Sequence, residues 1–170
     1  LEKALQFLKR SGARSIGLLG GEPTLHPEFP EIIDRVLAAG FRIKLFTNGI
    51  SPRPALDRLV ATDPEHVVII VNINHPDETP AAERKKVTET LESLGKRAAL
   101  GFNIYRKDFD AEFLIDITKR YGLDPHLRIG LAQPILGGGN SYVAREDYPE
   151  VGRRLVRLSQ RTGPLGLTLS

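Results

Sequence analysis

Five short apolar segments recur along the chain at intervals of about 30 residues, and stretches of helical periodicity separate them. The segments are residues 16–19, 43–46, 67–71, 98–104 and 127–131. Residues 67–71 form a continuous β-branched run, which is typical of a parallel strand covered on both faces. Strands that alternate with helices predict βαβ units, so we expect an α/β fold with a parallel sheet and helices outside it.

The intervening stretches show apolar faces and helix boundaries. Residues 29–37 repeat at helical spacing after Pro27, and Gly40 follows as a stop signal. The buried stripe of the next helix is predicted to be Leu56, Leu59 and Val60. Helices are also predicted over the first residues of the chain, after Ser51-Pro52, after Thr79-Pro80, after Asp108 or Asp110, and over residues 150–160.

The length of 170 residues predicts one domain. A complete eight-stranded βα barrel needs about 250 residues, so five strands predict a partial barrel or an open sheet. No capping residue precedes the first helix, and residues 163–166 resemble the lead into a further segment. We therefore expect residues 1–170 to be a single domain that is truncated at both ends.

Composition excludes several classes of function. Basic and acidic residues number 24 and 21, and like charges form no long run, so no nucleic-acid surface is predicted. No apolar stretch is long enough to span a membrane and no signal peptide is recognisable, so a cytoplasmic protein is expected. The sequence has no cysteine, and its four histidines are scattered, so no metal site is predicted within it.

Polar residues follow the apolar segments at the ends where ligands bind in parallel βα folds. Most of these side chains are neutral amides, which both donate and accept hydrogen bonds and therefore suit a ligand of mixed polarity. Residues 137–140 are glycine-rich, and we interpret them as a loop, because no lysine follows in the order of a phosphate-binding loop. The polar ends are Gly20-Gly21-Glu22, Thr47-Asn48, Asn72 to His75, Asn103 with Tyr105, and Gln133.

The first of these ends carries the most specific signal. Gly20 and Gly21 let a ligand approach the backbone closely, Glu22 adds a carboxylate, and Pro23 removes an N–H donor. A loop rich in acceptors suits an ammonium group better than a phosphate, which requires N–H donors.

Residues 20–23 resemble the Gly-Gly-Glu-Pro motif of radical S-adenosylmethionine (radical SAM) enzymes, and residues 24–29 are similar to its usual continuation. Residues 45–49, which end in Thr-Asn-Gly, resemble the next strand of that family, and the resemblance extends over residues 1–132. It implies a partial barrel of six βα units, whose first strand and three-cysteine cluster loop would precede Leu1.

The resemblance also implies roles for individual residues. It assigns Gly20, Gly21, Glu22 and Pro23 to the loop that holds the amino group of S-adenosylmethionine. By the same resemblance, Asn72 would contact the carboxylate or the ribose of the cofactor, and Arg84 would pair with its carboxylate. The backbone of Leu131 and Ala132 would contact the adenine. Thr47 and Asn103 are weaker candidates for cofactor contacts. Asn74, His75 and Gln133 are expected to face the substrate.

The implied chemistry is radical formation. In this family a [4Fe-4S] cluster, a reductant such as flavodoxin or ferredoxin, and S-adenosylmethionine yield a 5′-deoxyadenosyl radical that attacks the substrate. The cluster ligands would lie outside this sequence. One alternative is a cluster-free module of the same fold that binds S-adenosylmethionine or a partner. A phosphate-binding barrel of the aldolase or isomerase type ranks last, because amides rather than Lys, Asp or Glu dominate the strand ends.

Overall fold

The computed structural model describes residues 1–135, 139–162 and 167–169. The strands are β1 (Ser15–Leu18), β2 (Arg42–Thr47), β3 (Val67–Asn72), β4 (Ala98–Ile104), β5 (Leu127–Leu131) and β6 (Leu167–Leu169). The helices are α1 (Glu2–Arg10), α2 (Phe29–Ala38), α3 (Arg53–Val60), α4 (Ala81–Leu94), α5 (Glu112–Tyr121) and α6 (Tyr148–Thr162). All strand pairs are parallel, and the strand order in the sheet is the order in the chain.

The sheet differs from the predicted one at both edges. A sixth strand, β6, pairs with β5, whereas the sequence predicted five strands. Three residues are too few to show a period, so only pairing reveals this strand. At the other edge β1 ends at Leu18, and Leu19, predicted to be in the strand, is 68% exposed. β1 is half-buried rather than buried, because it has a single neighbour in the described sheet.

Most helix boundaries shift by one or two residues from their predicted positions. α2 begins at Phe29 rather than Pro27, because a 3₁₀ turn over Pro23–Leu25 comes first. α3 is capped by Pro52 rather than Ser51, and Val60 is 43% exposed instead of buried. Asp110 precedes α5 and accepts a hydrogen bond from the backbone of Glu112 at 2.9 Å. Two predicted loop segments, residues 137–138 and 163–166, lie outside the described residues.

Successive side chains of each strand point alternately to the helix-facing side of the sheet and to its inner side. Register places Leu45 beside Ile69, and the aliphatic side chains of this side are almost fully buried beneath the helices. The other side is less buried and more polar, which fits the concave surface of a half-barrel. We call it the inner face, and its residues include Lys44, Phe46, Val68, Ile70, Asn72, Gly101, Asn103, Arg128 and Gly130.

One contact crosses the inner face of the sheet. The guanidinium carbon of Arg128 on β5 lies 5.2 Å from the ring centroid of Phe46 on β2. In a flat sheet these strands would be about 14 Å apart, since neighbouring strands are spaced by about 4.8 Å. This contact fits a sheet that wraps around the space above its inner face, and the parallel strands in chain order with helices on one side confirm the predicted partial barrel. None of the helices described is long and apolar enough to cross a bilayer.

Adjacent residues of β3 provide a test of the two faces. Ile69 is 0% exposed on the helix-facing side, whereas Val68 is 50% exposed on the inner face. Ile69→Ala is expected to lower the free energy of unfolding by about 2–5 kcal/mol, because it leaves a cavity in the core. Val68→Ala, the matched control, is expected to cost less than about 1 kcal/mol. Urea denaturation measures both, and equal costs would contradict this assignment of faces.

Candidate functional site

The loop after β1 is held in a conformation that only glycine adopts readily. Gly20 and Gly21 have φ angles of +94° and +51°, in the region that L side chains rarely enter. A Cβ atom at either position would meet nothing within 4 Å, so the backbone conformation, rather than crowding, calls for glycine. Both residues are exposed, which leaves their peptide groups accessible to a ligand.

The Glu22 carboxylate fastens this loop to the end of β2. Its Oε1 accepts hydrogen bonds from the backbone N and the Oγ1 of Thr24, at 3.1 and 2.7 Å, and from Thr47 Oγ1 at 2.8 Å. Its Oε2 accepts one from the backbone N of Asn48 at 2.6 Å. A carboxylate has about four acceptor positions on its two oxygens. Most of the acceptor positions of Glu22 are therefore used to hold the loop in place, and Oε2 retains a lone pair for a ligand.

The glycine loop opens onto a cavity of about 310 Å³ above the inner face. The cavity brings together residues from the ends of β1, β2, β3 and β4, as the sequence predicted for a site at the carboxyl ends of the strands. We call it the inner cavity, and its lining residues are Leu19, Gly20, Gly21, Phe46, Thr47, Asn48, Asn72, Asn103 and Arg128.

Two amides of the inner cavity lie over glycines of the neighbouring strand. Asn72 is paired in register with Gly101, and Asn103 with Gly130. A Cβ atom at Gly101 would lie 2.1 Å from Asn72 Oδ1, and one at Gly130 would lie 2.6 Å from Asn103 Oδ1. The glycines thus leave the space that the amides occupy. Asn72 Oδ1 is buried against Gly101 and has no hydrogen-bond partner among the described residues, which is unusual for a buried polar atom.

Two predicted residues lie in a different pocket. A cavity of about 370 Å³ between the end of β3 and helices α4 and α5 is lined by Asn74 and Arg84. Asn48 and Asn72 line both cavities. Arg84 Nη1 donates to the carbonyl of Pro76 at 2.7 Å, so this side chain also supports the loop after β3. The structure does not bring Arg84 into the inner cavity with Gly20 and Gly21.

The remaining predicted residues have local partners. His75 Nδ1 accepts from the backbone N of Asp77 at 3.2 Å, and its ring lies edge-on to Phe113 at 5.0 Å. Ala132 donates its N–H to the Ile104 carbonyl at 2.8 Å, which leaves its carbonyl for a ligand. The Gln133 carbonyl accepts from Asn140 Nδ2 at 2.9 Å. None of these residues, nor Leu131, lines either cavity of the described chain.

The loops after β3 and β4 are linked by polar contacts at the rim. Tyr105 donates a hydrogen bond to Glu78, and Arg106 Nη1 lies 3.2 Å from the other carboxylate oxygen of Glu78. Burial raises the pKa of the Tyr105 phenol, and the hydrogen bond to Glu78 raises it further. The phenol is therefore a neutral donor at physiological pH, and it holds the two loops together.

Arg128 and Phe46 were not predicted as site residues, and Asn48 was named only as part of a polar strand end, without a role. The available signal was Arg128 itself, a charged residue between Leu127 and Ile129 in an apolar strand. A charge at such a position is costly in a strand buried on both faces, so it indicates an open inner face at this point. Within the described part of the chain, no group of three or more His, Asp or Glu side chains could hold a metal ion.

Comparison with known proteins identifies the family. The sequence model of the Radical SAM superfamily matches residues 1–123, so the chain belongs to this superfamily. A 65-residue segment is 40% identical to the 7-carboxy-7-deazaguanine synthase of Neisseria meningitidis, and covers 38% of this chain and 31% of that protein. A 128-residue segment is 24% identical to the GTP 3′,8-cyclase of Aquifex aeolicus, and covers 70% of this chain and 40% of that protein.

The fold is shared with solved structures. The crystal structure of Streptococcus suis SuiB bound to S-adenosylmethionine matches with a TM-score of 0.74 and 14% sequence identity, over 99% of this chain and 42% of that chain. At this identity the likeness concerns the fold alone. The chain spans less than half of the length of SuiB and of the two curated relatives.

The Glu22 carboxylate provides a test of how the loop is held. Glu22→Gln is expected to lower the free energy of unfolding by about 1.5–3 kcal/mol, because hydrogen bonds to a charged acceptor become bonds to a neutral amide. Glu92→Gln on the exposed side of α4 removes the same charge and is expected to change stability by less than about 0.5 kcal/mol. Denaturant titration measures both, and equal stabilities of the two variants would disprove this role for Glu22.

Proposed function

We propose that this chain is the S-adenosylmethionine-binding core of a radical SAM enzyme. The observation that carries the proposal is the inner cavity, which the open Gly20–Gly21 loop and Asn72 line together, and in which the buried Asn72 Oδ1 has no partner among the described residues. Membership of the superfamily supports the choice of cofactor, as does the binding of S-adenosylmethionine by SuiB, which has the same fold.

The residues of the site fit the cofactor. Carbonyl groups of the loop and Oε2 of Glu22 are suitable acceptors for the methionyl ammonium group, with Pro23 closing the loop. In this proposal the Asn72 side chain contacts the ribose or the carboxylate of the cofactor, and Thr47 and Asn103, which line the same cavity, make weaker contacts. The carbonyls of Leu131 and Ala132 are candidates for the adenine edge. Arg84 lines the neighbouring pocket, which adjoins the inner cavity at Asn48 and Asn72, and in this proposal it reaches the methionyl carboxylate from there. Asn74, His75 and Gln133 face the substrate.

The chemistry of the whole enzyme is also part of the proposal. With a [4Fe-4S] cluster and electrons from a flavodoxin or ferredoxin, bound S-adenosylmethionine supplies a 5′-deoxyadenosyl radical. The chain has no cysteine, so its own residues do not fit a cluster, and its part is to bind and orient the cofactor. Two relatives are named as a synthase and a cyclase, which supports the proposal that the whole protein is an enzyme.

Calorimetric titration with S-adenosylmethionine tests the binding role. The chain is expected to bind one equivalent, and Asn72→Ala is expected to weaken binding about 2- to 10-fold, which is the value of one neutral hydrogen bond. Glu92→Gln is the control and should bind like the original chain. A chain that is folded by circular dichroism but shows no binding would overturn the proposal.

A second experiment separates binding from radical chemistry. After anaerobic incubation with iron, sulfide and a reductant, the chain is expected to form no 5′-deoxyadenosine from S-adenosylmethionine, because it offers no thiolate to hold a cluster. Chromatography detects the product, and its formation in stoichiometric or larger amounts would show that the chain needs no further cysteine segment.

A further inference from the structure

The first half of helix α4 contributes no side chain to the core of the protein. The buried residues of α4 are Thr90, Leu91 and Leu94, which all lie near its C-terminal end. Residues 81–86 are exposed, and Val87, one turn before Leu91, is half-buried. A cavity of about 370 Å³ lies between this helix and α5, and we call it the neighbouring pocket.

The two helices give the neighbouring pocket an apolar lining. Val87 and Leu91 are four residues apart on α4, and Ile117 and Tyr121 are four residues apart on α5, so each pair lies on one face of its helix. Ile73, which follows β3, also lines the pocket. Cavities of about 300–1,000 Å³ with such linings are typical of small-molecule sites.

A cation lies at one end of this apolar lining. Arg120 in the last turn of α5 lines the pocket and is exposed, and no carboxylate among the described residues pairs with it. The other charged lining residues, Glu83 and Arg84, are in the first turn of α4. Both helices follow a strand and run back along the sheet, so these two turns lie at opposite ends of the pocket.

We propose that the neighbouring pocket binds a small amphipathic molecule that has an apolar body and one carboxylate. The apolar body packs against Val87, Leu91 and Ile117, and the carboxylate pairs with Arg120. This site goes beyond the proposed function, because its cation lies at the opposite end of the pocket from Arg84 and from the junction with the inner cavity.

Octanoate and octanol are suitable probes, because they share an alkyl chain and differ in charge. In an NMR titration octanoate is expected to bind saturably, with a dissociation constant at or below about 1 mM, and to shift amide resonances of α4 and α5. Arg120→Gln should weaken octanoate binding about 2- to 5-fold, the value of an ion pair that stays partly in water, and should leave octanol binding unchanged.

A pair of phenylalanine variants on α4 tests the location of the site. Thr88 is half-buried and lines the pocket, so the ring of Thr88→Phe should fill the space and weaken both probes more than about 10-fold. Lys85 is exposed and does not line the pocket, so Lys85→Phe should bind both probes like the original chain. Circular dichroism establishes that each variant is folded.

Saturable octanoate binding that depends on Arg120 and is blocked by Thr88→Phe supports the inference. If octanoate does not bind saturably, or if the two phenylalanine variants bind it equally well, the inference is wrong. An equal loss of octanol affinity in Arg120→Gln also contradicts it, because Arg120 then supports the pocket rather than the carboxylate. Displacement of octanoate by S-adenosylmethionine overturns it as well, since the pocket then belongs to the cofactor site.

Discussion

Burial of one side of a parallel sheet is the constraint on which the site depends. Ile69 and Ile129 are packed beneath the helices, and this fixes which residues of their strands face inward. A shift of register by one residue would move Asn72 and Arg128 into the core and expose the isoleucines to the cavity, at a cost of several kcal/mol. The polar site is therefore held in place by hydrophobic packing on the opposite side of the same strands.

Much of the fold and part of the site could be predicted because they follow from local patterns. The apolar segments marked five strands, and Gly40 and Gly122 ended helices where expected. Since the carboxyl ends of parallel strands meet, Gly20, Asn72 and Asn103 could be expected in one cavity although they are distant in sequence, and the structure places them there. The assignment of cofactor contacts to these residues stays a prediction.

The rest depends on features that a linear pattern does not contain. Arg128 on β5 meets Phe46 on β2 across the inner face, and no pattern in the sequence of either strand predicts a contact between residues so far apart in the chain. Glu22 was expected to face a ligand, but its length and the nearby donors of Thr24, Thr47 and Asn48 direct most of its acceptor capacity into the protein. Arg84 belongs to a neighbouring pocket because the direction of a helical side chain depends on how the helix packs.

The agreement between strand order and chain order has a consequence for how the protein is made. Each strand pairs with the one that precedes it in the chain, so every addition to the sheet closes a loop of about one helix. Such sequential pairing keeps contacts shorter in sequence than any other strand order of a parallel sheet would, which lowers the contact order. A growing polypeptide can add each unit to the previous ones as it leaves the ribosome, and the contact between Phe46 and Arg128 forms only after β5 is in place.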